Sequence, residues 1–493
     1  MRTAGILMPI SSLPSDCGIG TLGKAAKDFL DFLSEAGQRC WQILPIGPTG
    51  YGDSPYQPFS SFAGNPYFID LDELCRDGLL KEEEYKELDW GEDEGRVDYG
   101  RIYELRYPVL KKAVERLYEQ APKELSDFCK EEDWWLSGYA LFMALKGRFG
   151  GLAWQDWPEE LRRRKPETLR EVSEELSGEL DFWKGVQYLF FKQWEELKRL
   201  AKEKGISIIG DIPIYVAEDS ADVWEHPEQF MMDEELRPIE VAGCPPDGFS
   251  ETGQLWGNPL FDWERMRSEG YAWWIRRVEF QFRFYDILRI DHFRGFESFY
   301  AIPRDFMDAR SGCWRKGPGK DFFEKLEAAI GRRPIIAEDL GFITEEVAEL
   351  LSFTGYPGMK VLEFAFDSRD GGGRMYQPHN YPRNCVAYVG THDNDTALGW
   401  LEEAAPEDVA FARDYLRTDK AEGENWSMMR AVWASCADYA VVQMQDVLGL
   451  GNDCRMNTPS TTGGNWQWRA LKGSYGKELA ERLRRQMYLY ERL

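Results

Sequence analysis

Short apolar runs alternate along the chain with longer segments in which apolar residues recur at helical spacing. Such runs, rich in β-branched residues, are typical of strands that are buried on both faces. They predict eight strands, at residues 5–10, 40–46, 206–211, 286–291, 334–338, 359–364, 385–390 and 439–445. The segments between them predict helices at residues 24–36, 133–148, 181–204, 264–284, 322–330, 345–353, 425–438 and 477–490.

The alternation of strands and helices predicts an α/β fold, a (β/α)8 TIM barrel. A doubly wound open sheet is the alternative, but no G-x-G-x-x-G follows the first strand, which weakens its nucleotide-binding form. Two insertions follow the second and third strands, one mainly helical at residues 65–204 and one loop-rich at residues 212–285. We therefore expect a single catalytic barrel over residues 1–493 that carries these insertions as subdomains.

The composition narrows the class of partner and the compartment. The net charge is −26, and an acidic surface repels phosphate backbones, so no nucleic-acid partner is expected. No apolar run approaches the ~18 residues of a membrane span, and the run at residues 5–10 is too short for a signal peptide. The nine cysteines are scattered and form no C-x-x-C pair. These features predict a cytoplasmic protein with reduced thiols and no membrane partner.

Acidic residues stand at the ends of four predicted strands. In order along the chain they are Asp211, Asp291, the pair Glu338 and Asp339, and the pair Asp393 and Asp395. The C-terminal ends of barrel strands carry the catalytic residues of barrel enzymes, so four acidic ends indicate a functional site. Neighbouring residues on a strand face opposite ways, and strand geometry alone does not choose the functional member of either pair.

Arg289 strengthens this interpretation. It precedes Asp291 by two residues, so on a strand both side chains point to the same side. An arginine beside an aspartate keeps that aspartate ionised at neutral pH, as a carboxylate nucleophile requires. A structural ion pair at a strand end is the alternative reading of these two residues.

Carboxylates gathered in this way serve either divalent-metal binding or glycoside chemistry. Arg289, His292 and His392 supply positive or donor groups, which would compete with a metal ion for the carboxylates. Aromatic residues make up 14% of the chain, and their flat faces can stack on sugar rings. A neutral glucan also needs no basic steering patch. We therefore favour glycoside chemistry and expect no metal and no cofactor.

Eight motifs carry a resemblance to a known family. LRIDHFRG, AEDLG, GTHDND and GDIPIYVA look like the conserved blocks of the α-amylase superfamily. GPTGYGDSPYQ, SFAGNPY, PPDGFSETGQLWGNP and RMNTPST resemble, more specifically, the 4-α-glucanotransferases of glycoside hydrolase family seventy-seven, the amylomaltases or disproportionating enzymes. The resemblance runs from Ile10 to near the C-terminus. It implies transfer of a segment of an α-1,4-glucan to the 4-hydroxyl of an acceptor glucan or glucose, without a cofactor.

The resemblance also implies a role for each matched residue. Asp291 would be the nucleophile and Glu338 the general acid/base of a retaining double displacement, and Asp393 would grip the sugar hydroxyls and help to distort the ring. Arg289 would orient Asp291. The positions that match substrate-contacting residues are Arg289, His392, Asp211, Tyr56, Ser54, Phe249, Glu251, Gln254, Trp256, His292 and Asn457.

Two further features of the loops follow from the resemblance. Residues 245–259 would cover the substrate, and Tyr51 matches a second, peripheral glucan site. Gly248 departs from the pattern, because some relatives carry a larger, often aromatic, residue there, which leaves the stiffness of this loop open. The rivals are an amylase-type hydrolase, a metal-dependent barrel enzyme and a non-catalytic glucan-binding protein. A binding protein, however, has no use for Arg289 beside Asp291.

Overall fold

The computed structural model describes residues 2–50, 52–246, 251–341, 343–368, 373–461 and 463–493. The described residues contain twelve strands: β1 (Thr3–Leu7), β2 (Cys40–Gln42), β3 (Ser207–Ile212), β4 (Glu240–Cys244), β5 (Gln254–Pro259), β6 (Ile287–Ile290), β7 (Ser298–Pro303), β8 (Cys313–Lys316), β9 (Ile335–Ala337), β10 (Gly358–Val361), β11 (Cys385–Tyr388) and β12 (Tyr439–Gln443).

The same residues contain eighteen α-helices: α1 (Lys24–Glu35), α2 (Leu71–Arg76), α3 (Tyr99–Gln120), α4 (Lys123–Glu131), α5 (Asp133–Arg148), α6 (Glu159–Arg162), α7 (Pro166–Glu175), α8 (Ser177–Glu203), α9 (Ala221–Glu225), α10 (Trp263–Ser268), α11 (Ala272–Phe284), α12 (Gly319–Ile330), α13 (Glu345–Thr354), α14 (Ala397–Glu403), α15 (Pro406–Leu416), α16 (Glu424–Ala434), α17 (Met444–Leu448) and α18 (Lys477–Leu489).

Eight strands form one parallel sheet in the order β10-β11-β12-β1-β2-β3-β6-β9. The two outer strands of this order also meet. The Ala337 N–H at the end of β9 donates to the Pro357 carbonyl at 3.0 Å, and Asp339 Oδ1 accepts from the Met359 N–H of β10 at 2.6 Å. These bonds close the sheet, and the predicted (β/α)8 barrel is confirmed.

Successive residues of a barrel strand point alternately into the barrel and out towards the helices. In β6, Leu288 and Ile290 belong to the large core between strands and helices, whereas Ile287 belongs to the smaller apolar cluster inside the barrel. Arg289 therefore points inward with Ile287, and in the sheet register it lies beside Asp211 of β3. Burial on both faces explains why these strands read as unbroken apolar runs.

Helices α2 to α8 lie between β2 and β3, inside the region predicted as a helical insertion. The longest, α8, buries residues at helical spacing, among them Phe190, Trp194 and Leu197. Its aromatic side chains pack against α11, with the Trp194 and Phe284 ring centroids 6.1 Å apart. The helices share one continuous apolar core with the barrel. The division into subdomains at residues 65–204 and 212–285 stays a prediction.

A second sheet packs beside the barrel and is absent from the sequence prediction. It is antiparallel, in the order β5-β4-β7-β8. Strands β4 and β5 come from the predicted loop-rich insertion, whereas β7 and β8 follow β6, so a further insertion follows the fourth barrel strand. Its edge strand β8 is exposed throughout, and β5 contains Gly257 and Pro259, so neither shows the apolar pattern of a strand.

One predicted helix is broken in two. The segment 264–284 forms α10 and α11, and between them Gly270 and Tyr271 both have left-handed backbone, with φ of +67° and +57°. Consecutive left-handed residues cannot continue a right-handed helix. The sixth barrel strand is also shorter than predicted, because β10 ends at Val361 and a 3₁₀ turn occupies Leu362–Ala365.

Two properties bear on the environment of the protein. No helix among the described residues combines the length and the apolar character needed to cross a membrane. All nine cysteines lie in the described part of the chain as free thiols. Burial raises the pKa of Cys40 to about 12 and that of Cys17 to about 11, so these thiols stay protonated and unreactive.

Candidate active site

Asp211, Arg289 and Asp291 form an ion network at the C-terminal ends of β3 and β6. Arg289 Nη1 lies 2.5 Å from Asp211 Oδ2 and 2.9 Å from Asp291 Oδ1. The Arg289 and Asp211 side chains are buried, whereas that of Asp291 is 29% exposed. Burial acts to lower the pKa of Arg289, but the two carboxylates have the larger effect. The pKa is raised well above its usual value, so the guanidinium stays charged. A permanent cation therefore fixes the Asp291 carboxylate.

Tyr56 and His392 stack on one another beside this network. Their ring centroids are 4.9 Å apart with an interplanar angle of 20°. The Tyr56 hydroxyl donates to Asp211 Oδ2 at 2.8 Å and lies 3.3 Å from His392 Nδ1. Burial, and then the Asp211 charge, raise the pKa of Tyr56 well above its usual value, so the hydroxyl remains a donor. Ser54 steadies the turn, because its Oγ accepts from the Tyr56 N–H at 3.3 Å.

Asp393 follows β11 and is held from two sides. His392 Nε2 lies 3.3 Å from Asp393 Oδ2, and Asn457 Nδ2 donates to Oδ1 at 2.7 Å. Burial acts to raise the pKa of Asp393, but His392 and then Asn457 lower it by more, so the carboxylate is ionised. Burial acts to lower the pKa of His392, and Asp393 raises it above its usual value. The site therefore holds a second fixed carboxylate.

Glu338 follows β9 on the same end of the barrel. Its Oε2 accepts from the His292 N–H at 2.6 Å, and its Oε1 accepts from the Leu340 N–H at 3.0 Å. Burial, and then the neighbouring Asp291 charge, raise the pKa of Glu338 to about 7. At neutral pH this carboxyl therefore carries a proton for a large part of the time, beside a carboxylate that Arg289 holds.

His292 and Trp256 flank Glu338. The left-handed backbone of His292, with φ of +49°, lets its N–H reach the Glu338 carboxyl. The Trp256 ring meets the His292 ring edge-on at 4.9 Å, and Trp256 Nε1 donates to Gln254 Oε1 at 3.0 Å. Burial lowers the pKa of His292 to about 4, so its imidazole is neutral at pH 7. Glu338 thus has an uncharged, aromatic flank.

The remaining predicted residues lie at the rim or are not described. Glu251 is exposed and precedes β5. Phe249 and Tyr51 lie outside the described residues, as does Gly248. The structure therefore brings Asp211, Arg289, Asp291, Glu338, His392 and Asp393 together with Tyr56, Ser54, His292, Trp256, Gln254 and Asn457.

The second member of each acidic pair has a different position. Asp339 Oδ1 accepts from the Met359 N–H and joins β9 to β10. Asp395 is buried, with its Oδ1 accepting from the Thr396 N–H at 2.7 Å and its Oδ2 from Asn452 Nδ2 at 2.5 Å. Both carboxylates stabilise backbone, and Glu338 and Asp393 are the members that join the site.

Three residues of the site were not found by sequence reasoning. Met359 Sδ accepts from Arg289 Nε at 3.4 Å inside the barrel. Arg455 donates through Nη2 to the Asp393 carbonyl at 2.5 Å and through Nε to the Asn457 carbonyl at 2.7 Å. The Trp466 ring lies 5.8 Å from Tyr56. Only Arg455 had a signal, since it begins the motif RMNTPST, and the other two are joined to the site by the fold alone.

The arrangement suits a double displacement at a glycosidic bond. The Asp291 carboxylate is fixed by an arginine, and the neighbouring Glu338 carboxyl keeps its proton near pH 7. A nucleophile needs the first state and a general acid needs the second. Within the described ranges, no three or more histidine, cysteine, aspartate or glutamate side chains are grouped so that they could hold a metal ion.

Comparisons with known proteins agree with this reading. A family model described as 4-alpha-glucanotransferase matches residues 8–473. A 4-alpha-glucanotransferase of Thermus thermophilus is 50% identical over 503 aligned positions, covering 100% of this chain and 99% of that protein. One of Clostridium butyricum is 47% identical and covers 98% of this chain and 100% of its own. An amylomaltase of Streptococcus agalactiae, solved in complex with acarbose, superposes with a TM-score of 0.97 at 43% identity, and the match covers both chains completely.

Proposed function

The chain belongs to the 4-alpha-glucanotransferases of glycoside hydrolase family seventy-seven, and we propose that the site around Asp291 and Glu338 carries out their reaction by a retaining double displacement. The donor is an α-1,4-glucan and the acceptor is the 4-hydroxyl of a second glucan or of glucose. The observation that carries this proposal is the contrast between Asp291, paired with Arg289 at 2.9 Å, and Glu338, whose pKa is raised to about 7.

In the first half of the reaction the donor bond breaks. The Asp291 carboxylate attacks the anomeric carbon, and the bond from that carbon to the bridging oxygen breaks. Glu338 gives its proton to the departing oxygen, which leaves as the 4-hydroxyl of the released chain. Arg289 holds the Asp291 carboxylate in line. The product is a glycosyl ester of Asp291 and an ionised Glu338.

In the second half the ester is transferred. The 4-hydroxyl of an acceptor attacks the anomeric carbon, Glu338 takes the hydroxyl proton, and the Asp291 carboxylate leaves. Two inversions retain the α configuration, and each bond broken is replaced by an equivalent one. Water in place of the acceptor would give hydrolysis instead, which is the reaction of the rival, an amylase-type hydrolase.

The polar groups around the carboxylates hold the donor sugar. Asp393 and His392 present an ionised carboxylate and an imidazole to the sugar hydroxyls, and Asn457 fixes the carboxylate. Tyr56 and Asp211 line the same side. On the Glu338 side, the Trp256 ring offers a stacking face and excludes water near the acceptor.

Several expectations from the sequence belong to the same proposal. We expect residues 245–259 to cover the substrate and Glu251 and Gln254 to contact it. Phe249 and Tyr51, which lie outside the described residues, are expected to contact the substrate and a second, peripheral glucan. The protein acts in the cytoplasm, without a metal or cofactor. Activity that persists after exhaustive chelation supports the last point, and its loss with recovery on adding a divalent metal contradicts it.

Product analysis on maltotriose tests the function. We expect glucose together with a ladder of glucans longer than maltotriose, and little gain in reducing ends, because transfer conserves bonds. Effective molarities of well-oriented groups reach about 10⁵ M or more, so an acceptor held in line outcompetes bulk water. Reducing ends that rise with bond cleavage, without any product longer than the substrate, would make the protein an amylase-type hydrolase.

A further inference from the structure

The turn that carries His392 and Asp393 is held together by the side chain of Asn394. Asn394 Oδ1 accepts from the Thr391 N–H at 2.9 Å and from the Thr391 hydroxyl at 2.8 Å. Thr391 Oγ1 in turn accepts from the Asp393 N–H at 3.4 Å. The position from which Asp393 meets a donor sugar therefore depends on where the Asn394 amide is held.

Glu363, two residues after the end of β10, holds this amide. Its carboxyl is hydrogen-bonded to the Asn394 side chain, whose amide nitrogen is the donor because the amide oxygen already accepts from Thr391. The Glu363 N–H also donates to the Val389 carbonyl, directly after β11, at 3.2 Å. A side-chain carbon placed on Gly390 would lie 2.8 Å from Glu363 Oε1 and 2.9 Å from Asn394 Cβ. Glu363 is thus buried directly against the turn.

The charges around Glu363 oppose its ionisation. Two acids face its carboxyl, Asp446 on α17 and Asp395 after β11, and Arg455 faces it as a cation. Burial, then Asp446 and then Asp395 raise the pKa of Glu363 well above its usual value, against the opposing effect of Arg455. Burial also raises the pKa of Asp446 itself, to about 7. Glu363 is therefore a neutral carboxylic acid at neutral pH.

The hydrogen bonds around Glu363 indicate the same protonation state. Within the described ranges, no group donates to Glu363 Oε1 or to the buried Gln443 Oε1. The two side chains are close, because Gln443 Nε2 would lie 3.0 Å from the same carbon placed on Gly390. Neighbouring acceptor oxygens without a donor are costly when they are buried, and a proton on the acid supplies a donor. An ionised Glu363 would leave both oxygens unsatisfied.

We propose that Glu363 is a positioning residue, a neutral carboxylic acid that holds Asn394 and so fixes the turn from which Asp393 reaches the donor sugar. A neutral acid accepts from the Asn394 amide with one oxygen and donates through the other, whereas an ionised carboxylate can only accept. Ionisation would also add a charge beside Asp395 and Asp446. This inference rests on the proposed function, since it assumes that Asp393 binds the sugar.

Two replacements separate the polarity of Glu363 from its charge. Glu363→Gln keeps an acceptor and a donor without a charge, so we expect kcat/KM for maltotriose to stay within about twofold of the wild-type value. Glu363→Leu keeps the bulk but cannot hold the Asn394 amide. A misplacement of about 1 Å can cost about a hundredfold in rate, so we expect a loss of at least about tenfold. Equal impairment of both variants, or full activity of a folded Glu363→Leu protein, would overturn the proposal.

A double variant tests whether the effect passes through Asp393. Once Asp393→Asn has weakened the contact with the sugar, adding Glu363→Leu should lower kcat/KM by less than about twofold more. A combined loss equal to the product of the two single losses would contradict the positioning role.

Glu225 provides a matched control. Burial raises the pKa of this acid to about 7 as well, but it lies on α9 and pairs with Arg164 at 3.5 Å. Glu225→Leu should leave kcat/KM unchanged. A loss equal to that of Glu363→Leu would show that replacing any such acid is enough, and would count against a role for the turn.

A thermal measurement tests the proton of Glu363 without using activity. With a raised pKa, the folded chain keeps a proton that the unfolded chain releases, so the acid costs stability as the pH rises above its usual pKa. Glu363→Gln has no such proton. We therefore expect its Tm to rise relative to wild type by about 2 °C or more between about pH 5 and about pH 9. A constant Tm difference would show that Glu363 is ionised in the folded protein, and would overturn the proposal.

The thermal series and the activity of Glu363→Gln decide the matter even if Glu363→Leu does not fold. Failure of the proposed function is a separate result, since it would appear as wild-type protein that makes no glucans longer than maltotriose.

Discussion

At the scale of single residues, Asp291 and Glu338 differ through their surroundings. Asp291 is partly open to solvent and paired with Arg289 at 2.9 Å. Glu338 binds two backbone N–H groups, yet burial and the Asp291 charge keep its pKa raised to about 7. Two groups of one chemical type thereby differ in the way that our proposed nucleophile and acid require.

Removing either carboxylate should abolish turnover without unfolding the chain. We expect Asp291→Asn and Glu338→Gln each to lower kcat on maltotriose by at least about a thousandfold, because each change removes stabilisation of the transition state rather than simple affinity. Initial rates of glucose release, with melting curves as the folding control, check this. Near-native activity of either variant, with a normal melting curve, contradicts the assignment.

The raised pKa of Glu338 predicts the alkaline limb of the pH profile. The first step needs the protonated acid, so with a maltodextrin donor the rate of ester formation should fall as the pH rises through about 7. With a glycosyl fluoride donor, whose leaving group needs no proton, that fall should disappear from the first step. Single-turnover rates between pH 5 and about 9 compare the two donors. The same alkaline limb for both donors would assign it to another group.

Sequence reasoning named the carboxylates that the structure brings together, but it missed some of the residues that contact and support them. Strand alternation did not show which of Glu338 and Asp339 faces the site. In the structure Asp339 instead accepts from the Met359 N–H, where β9 and β10 close the barrel. Met359 and Trp466 lie outside the motifs, and an apolar side chain carries no sign of the polar group that it contacts. Such partners are set by the three-dimensional packing and leave no local signal.

At the scale of elements, prediction found the eight barrel strands and missed the four strands of the second sheet, of which β8 is exposed throughout and β4 and β7 are largely buried. The eight barrel strands are covered on both faces, so each reads as an apolar run. Strand β8 is exposed at every position, and cross-strand pairing rather than its own sequence makes it a strand. The break between α10 and α11 depends on the left-handed Tyr271, which a hydrophobic pattern does not reveal.

The segment after α17 should act on catalysis through Arg455. Arg455 donates to the carbonyls of both Asp393 and Asn457, so it sets the position from which the Asn457 amide reaches the Asp393 carboxylate. We expect Arg455→Ala and Asn457→Ala each to lower kcat/KM by about tenfold, and the double variant to lose little more, because both remove the same contact.

A control separates this positioning role from a general loss of stability. Arg430→Ala removes an arginine that pairs with Glu422 away from the site, and it should leave kcat/KM unchanged. Losses that multiply fully in the Arg455/Asn457 double variant would show that the two residues act independently.

At the scale of the whole molecule, the site is assembled from segments that are far apart in the chain. Tyr56 follows β2, Asp291 follows β6, Glu338 follows β9, and Asn457 lies beyond β12. Closure of the barrel brings these loops to one end. The motifs predicted which residues come together, because the strand ends of a parallel barrel share a face. They did not predict which loops cover those residues.

The net charge of −26 should not influence binding of a neutral glucan. We expect kcat/KM for maltotriose to change by less than about twofold when NaCl is raised from about 20 mM to about 200 mM, because screening alters only charge–charge steering. An acceptor with a terminal glucuronate is the matched control, and its rate should rise with salt as repulsion is screened. A strong salt dependence for maltotriose itself would point to a charged group in the binding step.

Trapping the glycosyl-enzyme tests the central claim, that Asp291 is the nucleophile and Glu338 the acid/base, most directly. Glu338→Gln and Asp291→Asn are each mixed with an α-maltosyl fluoride and measured by intact-protein mass spectrometry. The account predicts a maltosyl adduct on Glu338→Gln, since fluoride leaves without an acid and no base then activates an acceptor, and peptide mapping should place it on Asp291. It predicts no adduct on Asp291→Asn. An adduct on Asp291→Asn, or one mapped to another residue of Glu338→Gln, would contradict the account.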